Sequence, residues 1–166
     1  MRNLLFACAF TLFGVFSNAQ QGLKIGGHIG APLGDASDYS SFTLGIDGAY
    51  MWNIIKGLDV GVATGYSHFI GKDRFNDFGF IPVAASAKYK FATVPLFVGL
   101  DLGGAISTSN GLDSGLYAYP KVGYQASKAE IFLGIQNIGS RRDFGRERIR
   151  NNFGAVNLGV NFFLGK

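Results

Sequence analysis

The chain has 166 residues, of which 48% are hydrophobic and only 16% charged, with a formal net charge of +4 and 25 glycines. This hydrophobicity and modest charge exclude a disordered chain. So much glycine disfavours many helices, because each interior helical glycine costs about 1 kcal/mol. A single cysteine excludes both a disulfide scaffold and a cysteine-based zinc site.

Residues 1–19 read as a secretory signal peptide. Arg2 supplies the positive start, Leu4 to Phe16 the apolar run, and Ser17-Asn18-Ala19 the small-x-small cleavage pattern before Gln20. The run is too short to span about 30 Å of hydrocarbon. Cys8 lies inside it and is discarded with it. Residues 20–166 then form one domain without cysteine.

From Leu23 onward the chain alternates with period 2, the mark of half-buried strands. The first segment sets Leu23, Ile25, Ile29 and Leu33 against Lys24, Gly26, His28 and Gly30. The second sets Phe42, Leu44, Ile46, Tyr50, Trp52 and Ile54 against Thr43, Gly45, Asp47 and Asn53. The third opposes Leu58, Val60, Val62 and Tyr66 to Asp59, Gly61, Gly65 and Ser67. The fourth opposes Ile81, Val83, Ala85, Ala87, Tyr89 and Phe91 to Ser86, Lys88 and Lys90. In the fifth, Leu96, Val98, Leu100, Leu102 and Ile106 face away from Gly99, Asp101, Gly103 and Ser107. The sixth pairs an outer set of Leu116, Ala118, Val122 and Tyr124 with Tyr117, Tyr119, Lys121 and Gln125. The seventh has Ile131, Leu133 and Ile135 against Glu130, Gly134 and Gln136. The eighth has Val156, Leu158, Val160, Phe162 and Leu164 against Asn157, Gly159 and Asn161. The sequence thus predicts one greasy face and one polar or glycine face throughout.

Connections alternate in length. Residues 34–41, 68–77, 107–115 and 138–152 are long, whereas turns near 53–57, 92–95 and 127–128 are short. Such a meander can close as a soluble barrel with its apolar face inward, or as a transmembrane barrel with that face toward lipid. The polar face carries few long charges, whereas a soluble exterior needs about 25–35% charged residues. Its charges come in both signs: Lys24, Lys88, Lys90 and Lys121 against Asp47, Asp59, Asp101 and Glu130. That balance suits a confined lumen. Aromatics such as Phe42, Tyr50, Trp52, Tyr66, Tyr89, Phe91 and Phe162 fall near segment ends, where interfacial girdles lie. The expected fold is all-β: a transmembrane eight-stranded antiparallel up-and-down barrel.

With this pattern, the Ala19-Gln20 junction, the opening Leu23-Lys24-Ile25-Gly26-Gly27 and the closing Val160 to Lys166, the chain resembles the small eight-stranded outer-membrane barrels of the OmpA/OmpX-like class. It also resembles the Bacteroidota-type outer membrane protein beta-barrel domain. It departs from that class in placing Leu164-Gly165-Lys166 after the aromatic Phe163. The resemblance implies a Gram-negative outer membrane, assembly by the barrel machinery, a periplasmic N-terminus and long loops facing outside. It also implies outer-membrane lipid and lipopolysaccharide as neighbours and a monomeric state.

The last long connection holds Arg141, Arg142, Arg146, Arg148 and Arg150, opposed only by Asp143 and Glu147. Arginine forks bind phosphate and carboxylate bidentately. These five are candidate contacts for lipopolysaccharide or another anionic surface; the alternative is a loop kept soluble by charge. Nucleic acid is not expected, because only Phe144 interleaves the arginines. The inward charges either pair to stabilise the lumen or line a narrow, porin-like ion path. A lipid-A-modifying hydrolase is the remaining alternative. Ser67 and His68 are adjacent and so point to opposite faces, but Ser67 could meet His28 across strands. No catalytic, cofactor or metal residue is assigned, and a structural or interaction protein, not an enzyme, is expected.

Overall fold

A computed structural model describes residues 21–72, 76–109, 113–144 and 147–164. The side chains of Gln21 and of residues 141–151 lie outside that description. So do the signal peptide, Cys8, Arg146 and Gly165-Lys166. The strands are β1 (Gln21–Gly34), β2 (Ser40–Ile55), β3 (Leu58–Gly71), β4 (Phe78–Lys90), β5 (Leu96–Ser107), β6 (Gly115–Gln125), β7 (Ala129–Phe144) and β8 (Glu147–Phe163). One short helix, α1 (Ala36–Tyr39), joins β1 to β2. Each strand pairs antiparallel with the next, and β8 returns to β1 from Lys24↔Phe163 to Gly34↔Phe153. The sheet is a closed barrel with no exposed edge around its wall.

Closure follows from the pattern. Short turns join alternate pairs at one end. The tightest is Lys56-Gly57, where Gly57 takes a φ of 89°, which only glycine adopts without strain. The outward sets are exposed as expected: Ile46 is 65% exposed and Leu116 69%, while Lys24, His28 and Asp101 are buried inside. The exterior is therefore apolar and the lumen holds the charges, an inversion that only lipid rewards. Phe42 and Trp52 mark the two ends of β2. Their ten-residue interval covers about 34 Å of strand, or roughly 26 Å of depth at a tilt near 40°. That matches the apolar band of about 25 Å in such barrels.

Two expectations are corrected. The inward face is not uniformly polar or glycine. Phe69, Phe78, Phe80 and Phe153 fill the loop end of the lumen, with Ile138, Tyr117 and Ala36 around them. Phe69 and Phe78 stack at 4.8 Å, and Phe153 lies 5.6 Å from Phe78 and 5.8 Å from Phe80. Alternation selects a face but not the chemistry each level needs, and a closed end needs bulk. The second correction concerns residues 138–152, expected as a loop. Of these, residues 138–144 and 147–152 are the upper part of β7 and β8, paired from Ile138↔Phe153 to Phe144↔Glu147. Backbone pairing overrides a composition that reads as a loop. Residues 68–71 likewise continue β3 rather than begin a loop.

Leu100 stands outward near the middle of β5, 40% exposed. Leu100→Arg should lower barrel stability by about 2–4 kcal/mol, the cost of arginine at a bilayer midplane. Denaturant titration of the variant folded into lipid vesicles measures this, and an unchanged midpoint would reverse the inside and outside assignments.

Candidate functional site

The lumen brings all eight predicted charges into three groups. Nearest the short turns, Glu130 of β7 accepts from Lys24 Nζ of β1 at 2.8 Å and from Lys88 Nζ of β4 at 2.9 Å. Asn161 of β8 donates to the same carboxylate at 2.8 Å. Lys88 also donates to Gln125 at 3.0 Å and lies 5.0 Å above the Phe163 ring. Asp59 of β3 completes this group through Lys90 at 2.9 Å and Asn53 at 2.8 Å. The second group is Lys121 of β6 on Asp101 of β5, 2.6 Å apart, with Ser86 Oγ donating to the other carboxylate oxygen. Lys121 also sits 4.4 Å over the ring of Tyr119.

The third group starts at Asp47 of β2, whose Oδ2 lies 2.8 Å from His28 Nδ1. With the imidazole proton facing Asp47, Nε2 is left to accept from Ser67 Oγ, 3.4 Å away on β3. Gln136 Nε2 donates to Ser67 at 3.0 Å, Asn157 donates to Gln136 at 3.1 Å, and Thr43 donates to Asn157 at 3.0 Å. His28, Gly45 and Ser67 share one register row across β1, β2 and β3. Gly45 is required in that row: a Cβ there would stand 2.5 Å from the His28 ring. At Gly159 a Cβ would likewise collide with Phe132. The inward glycines at these positions are therefore filled by neighbouring side chains rather than left as gaps.

Asp47, His28 and Ser67 stand in the order of a hydrolase triad. Ser67 is 2% exposed, however, and its hydroxyl is held from two sides. The cavity beside Asp47, Asp101, Lys24 and Lys121 is about 10 Å³, room for one water at most. Ser67 is thus enclosed by its hydrogen-bond partners, and the row links β1, β2, β3, β7 and β8 across the interior. Sequence reasoning paired Ser67 with His28 but missed Asp47 as the third member, because that link needs the register of β2 against β1. Thr43, Gln136, Asn157 and Asn161 were legible as inward polar residues, though not as members of the network.

His68 points the other way, as adjacency to Ser67 requires. On the outer wall its Nε2 meets Asp77 at 3.1 Å and its Nδ1 meets Tyr66 at 3.2 Å. The Gly71 N–H donates to Asp77 Oδ1 at 2.8 Å. That bond, then the one to His68, holds the Asp77 carboxyl below the ordinary carboxylate range. The two histidines thus lie on opposite faces and share no site.

The candidate anion contacts sit elsewhere. Pairing of β6 with β7 ends at Gly115↔Ser140, and pairing of β8 with β1 ends at Phe153↔Gly34. Beyond these points β7 and β8 continue as a two-stranded ribbon above the wall. Its register sets Arg141 opposite Arg150, Arg142 opposite Ile149 and Asp143 opposite Arg148. Asp35 anchors the base of the ribbon, accepting from the Asn152 N–H at 2.6 Å and donating its own N–H back at 3.2 Å.

Truncating one member of a buried pair leaves an uncompensated charge. Glu130→Gln should therefore cost about 3–5 kcal/mol of barrel stability. Lys90→Gln, at a side chain one-third exposed, should cost under about 1 kcal/mol. Parallel unfolding titrations compare the two, and equal losses would contradict the hub role of Glu130.

No protein-family model matches the chain, and no curated protein sequence matches it. Solved structures do. Ail, the attachment invasion locus protein of Yersinia pestis, superposes with a TM-score of 0.58 at 12% identity, over 89% of this chain and 99% of Ail. The Yersinia pestis outer membrane protein Ail in a phospholipid bilayer nanodisc gives a TM-score of 0.50 at 11% identity, over 86% and 99%. Neisserial surface protein A gives a TM-score of 0.50 at 19% identity, over 87% and 97%. The chain has the fold of the small eight-stranded outer-membrane β-barrels, closed and antiparallel in up-and-down order.

Proposed function

We propose that this protein is a structural and interaction barrel of a Gram-negative outer membrane that presents its loop-end surface to anionic groups. It is exported by the segment 1–19, inserted by the barrel assembly machinery, and works as a monomer. Its basic ribbon, with Arg141, Arg142, Arg146, Arg148 and Arg150, meets the phosphates of neighbouring lipopolysaccharide. The observation that carries this reading is the concentration of five arginines against two acids in residues 141–150, with Arg141, Arg142, Arg148 and Arg150 on a ribbon that rises above the wall. At that height a barrel in an outer membrane meets phosphorylated lipid headgroups, and arginine matches phosphate with two parallel hydrogen bonds.

A channel is disfavoured by the filling of the lumen. Phenylalanines close the loop end, and the charges below them are paired. An ion path would have to break these pairs in an interior only wide enough for side chains. The hydrolase alternative has the Asp47–His28–Ser67 order in its favour and the burial of Ser67 against it.

Replacing the five arginines with serine should leave the barrel folded, since the wall already closes below the ribbon, with β6 paired to β7 up to Ser140 and β8 paired to β1 up to Phe153. Binding to lipopolysaccharide vesicles should fall more than tenfold, at about 1 kcal/mol for each basic residue near an anionic surface. Co-sedimentation with lipopolysaccharide and with neutral phosphatidylcholine vesicles reads both terms. Undiminished binding would contradict the assigned contact, and unfolding would contradict the view of the ribbon as an appendage.

A further inference from the structure

The outer wall is not smooth. A notch of about 380 Å³ opens on the lipid-facing side at the seam of β8, β1 and β2. Its floor is the outward position of Gly27, where the side chain is missing, and Ile29, Leu44, Leu158 and Val160 form its sides. Its lining offers no polar side chain outward. Gly27 faces out between Ile25 and Ile29, each about half exposed.

Four residues down β8 from Leu158, Phe162 stands outward and 56% exposed, level with the short turns. Four residues are about 13 Å of strand, or roughly 10 Å of depth at the tilt of such barrels. At that level Ala129 pairs with Phe162, and the Phe163 N–H donates to the carbonyl of Lys128 at 3.0 Å. Lys128 is exposed and has no ion-pair partner among the described residues. An ammonium at the short-turn rim beside β8, and an apolar notch farther up the wall on the other side of that strand, match one phospholipid: phosphate at the rim, one chain against the wall.

We propose that the seam of β8, β1 and β2 is a phospholipid site. The headgroup phosphate of a lipid in the short-turn leaflet sits at Lys128, and the middle of one acyl chain lies in the Gly27 notch. A polypeptide or second barrel is a poorer occupant, because the notch is continuous with the wall that the bilayer already covers. The site uses the lipid-facing wall and owes nothing to the arginine ribbon.

The mature barrel is folded into vesicles holding phosphatidylglycerol and phosphatidylcholine in equal amounts with identical 16-carbon chains. It is then extracted into mild detergent and its bound lipid counted by native mass spectrometry. One phospholipid should remain, with phosphatidylglycerol preferred. Leu158→Trp, which projects a larger side chain over the notch, should lower retention of both lipids at least fivefold. Leu102→Trp, on a distant part of the wall, should not. Lys128→Gln should remove the headgroup preference while retention of either lipid persists. Gly27→Leu fills the notch directly; should its Cβ, which would stand 3.0 Å from the Gly45 carbonyl, prevent folding, Leu158→Trp carries the test. A barrel that inserts but strips bare, or that holds lipid equally well with Leu158→Trp, overturns the site. An unchanged headgroup preference in Lys128→Gln overturns its assignment to the phosphate. A chain that enters no vesicle contradicts the membrane reading itself.

Discussion

The buried carboxylate of Glu130, held between Lys24 and Lys88, sets the terms for the whole interior. An eight-stranded barrel has an interior about as wide as its own side chains. Water cannot enter in quantity to solvate charges there, and an unpaired charge costs several kcal/mol. A chain that turns its apolar face to lipid must place its polar residues inside, so each lumenal charge has to find its opposite across the barrel. Lys24 on β1, Lys88 on β4 and Glu130 on β7 are far apart in sequence. Their meeting ties strands together across the interior as well as around the wall. Four lysines against four carboxylates leave no formal excess, with His28 completing the set through Asp47.

The two halves of the lumen solve the filling problem differently. Toward the short turns, long cationic side chains lie over aromatic rings, as Lys88 does over Phe163 and Lys121 over Tyr119, so ammonium groups gain partners beyond their carboxylates. Toward the loops, stacked and edge-on phenylalanines seal the barrel without any charge. Between them the row from Asp47 to Thr43 carries hydrogen bonds from one wall to another. The result is a filled cylinder. Variation is left to the rim, where β7 and β8 outgrow their neighbours and Asp35 clips the base of the ribbon.

Much of this was legible in the amino-acid order. Period-2 alternation places Lys24, Asp47, Asp101, Lys121 and Glu130 inside and Ile25, Leu100 and Leu133 outside, because successive side chains in a strand must face opposite ways. Loop lengths give the meander. What alternation cannot give is level. Whether an inward residue meets a charge or a ring depends on register around the barrel, so Phe69, Phe80 and Phe153 were invisible as a plug. Asp47 was likewise invisible as the partner of His28. The ribbon escaped notice for a different reason. Arg141 to Arg150 contains glycine and many charges, which locally disfavour a strand, and the pairing of β7 with β8 supplies the hydrogen bonds that keep residues 141–144 and 147–150 extended.

A sheet closed on itself with its apolar face toward lipid has a signature in electrophoretic mobility. The full-length chain is expressed in a Gram-negative host, outer membranes are separated from the periplasm, and each fraction is run boiled and unboiled in detergent gels. The account predicts a band in the outer-membrane fraction that migrates as a compact species unboiled and shifts to the unfolded position on boiling. A soluble periplasmic band with no shift would contradict it, and would mean that the apolar face points inward.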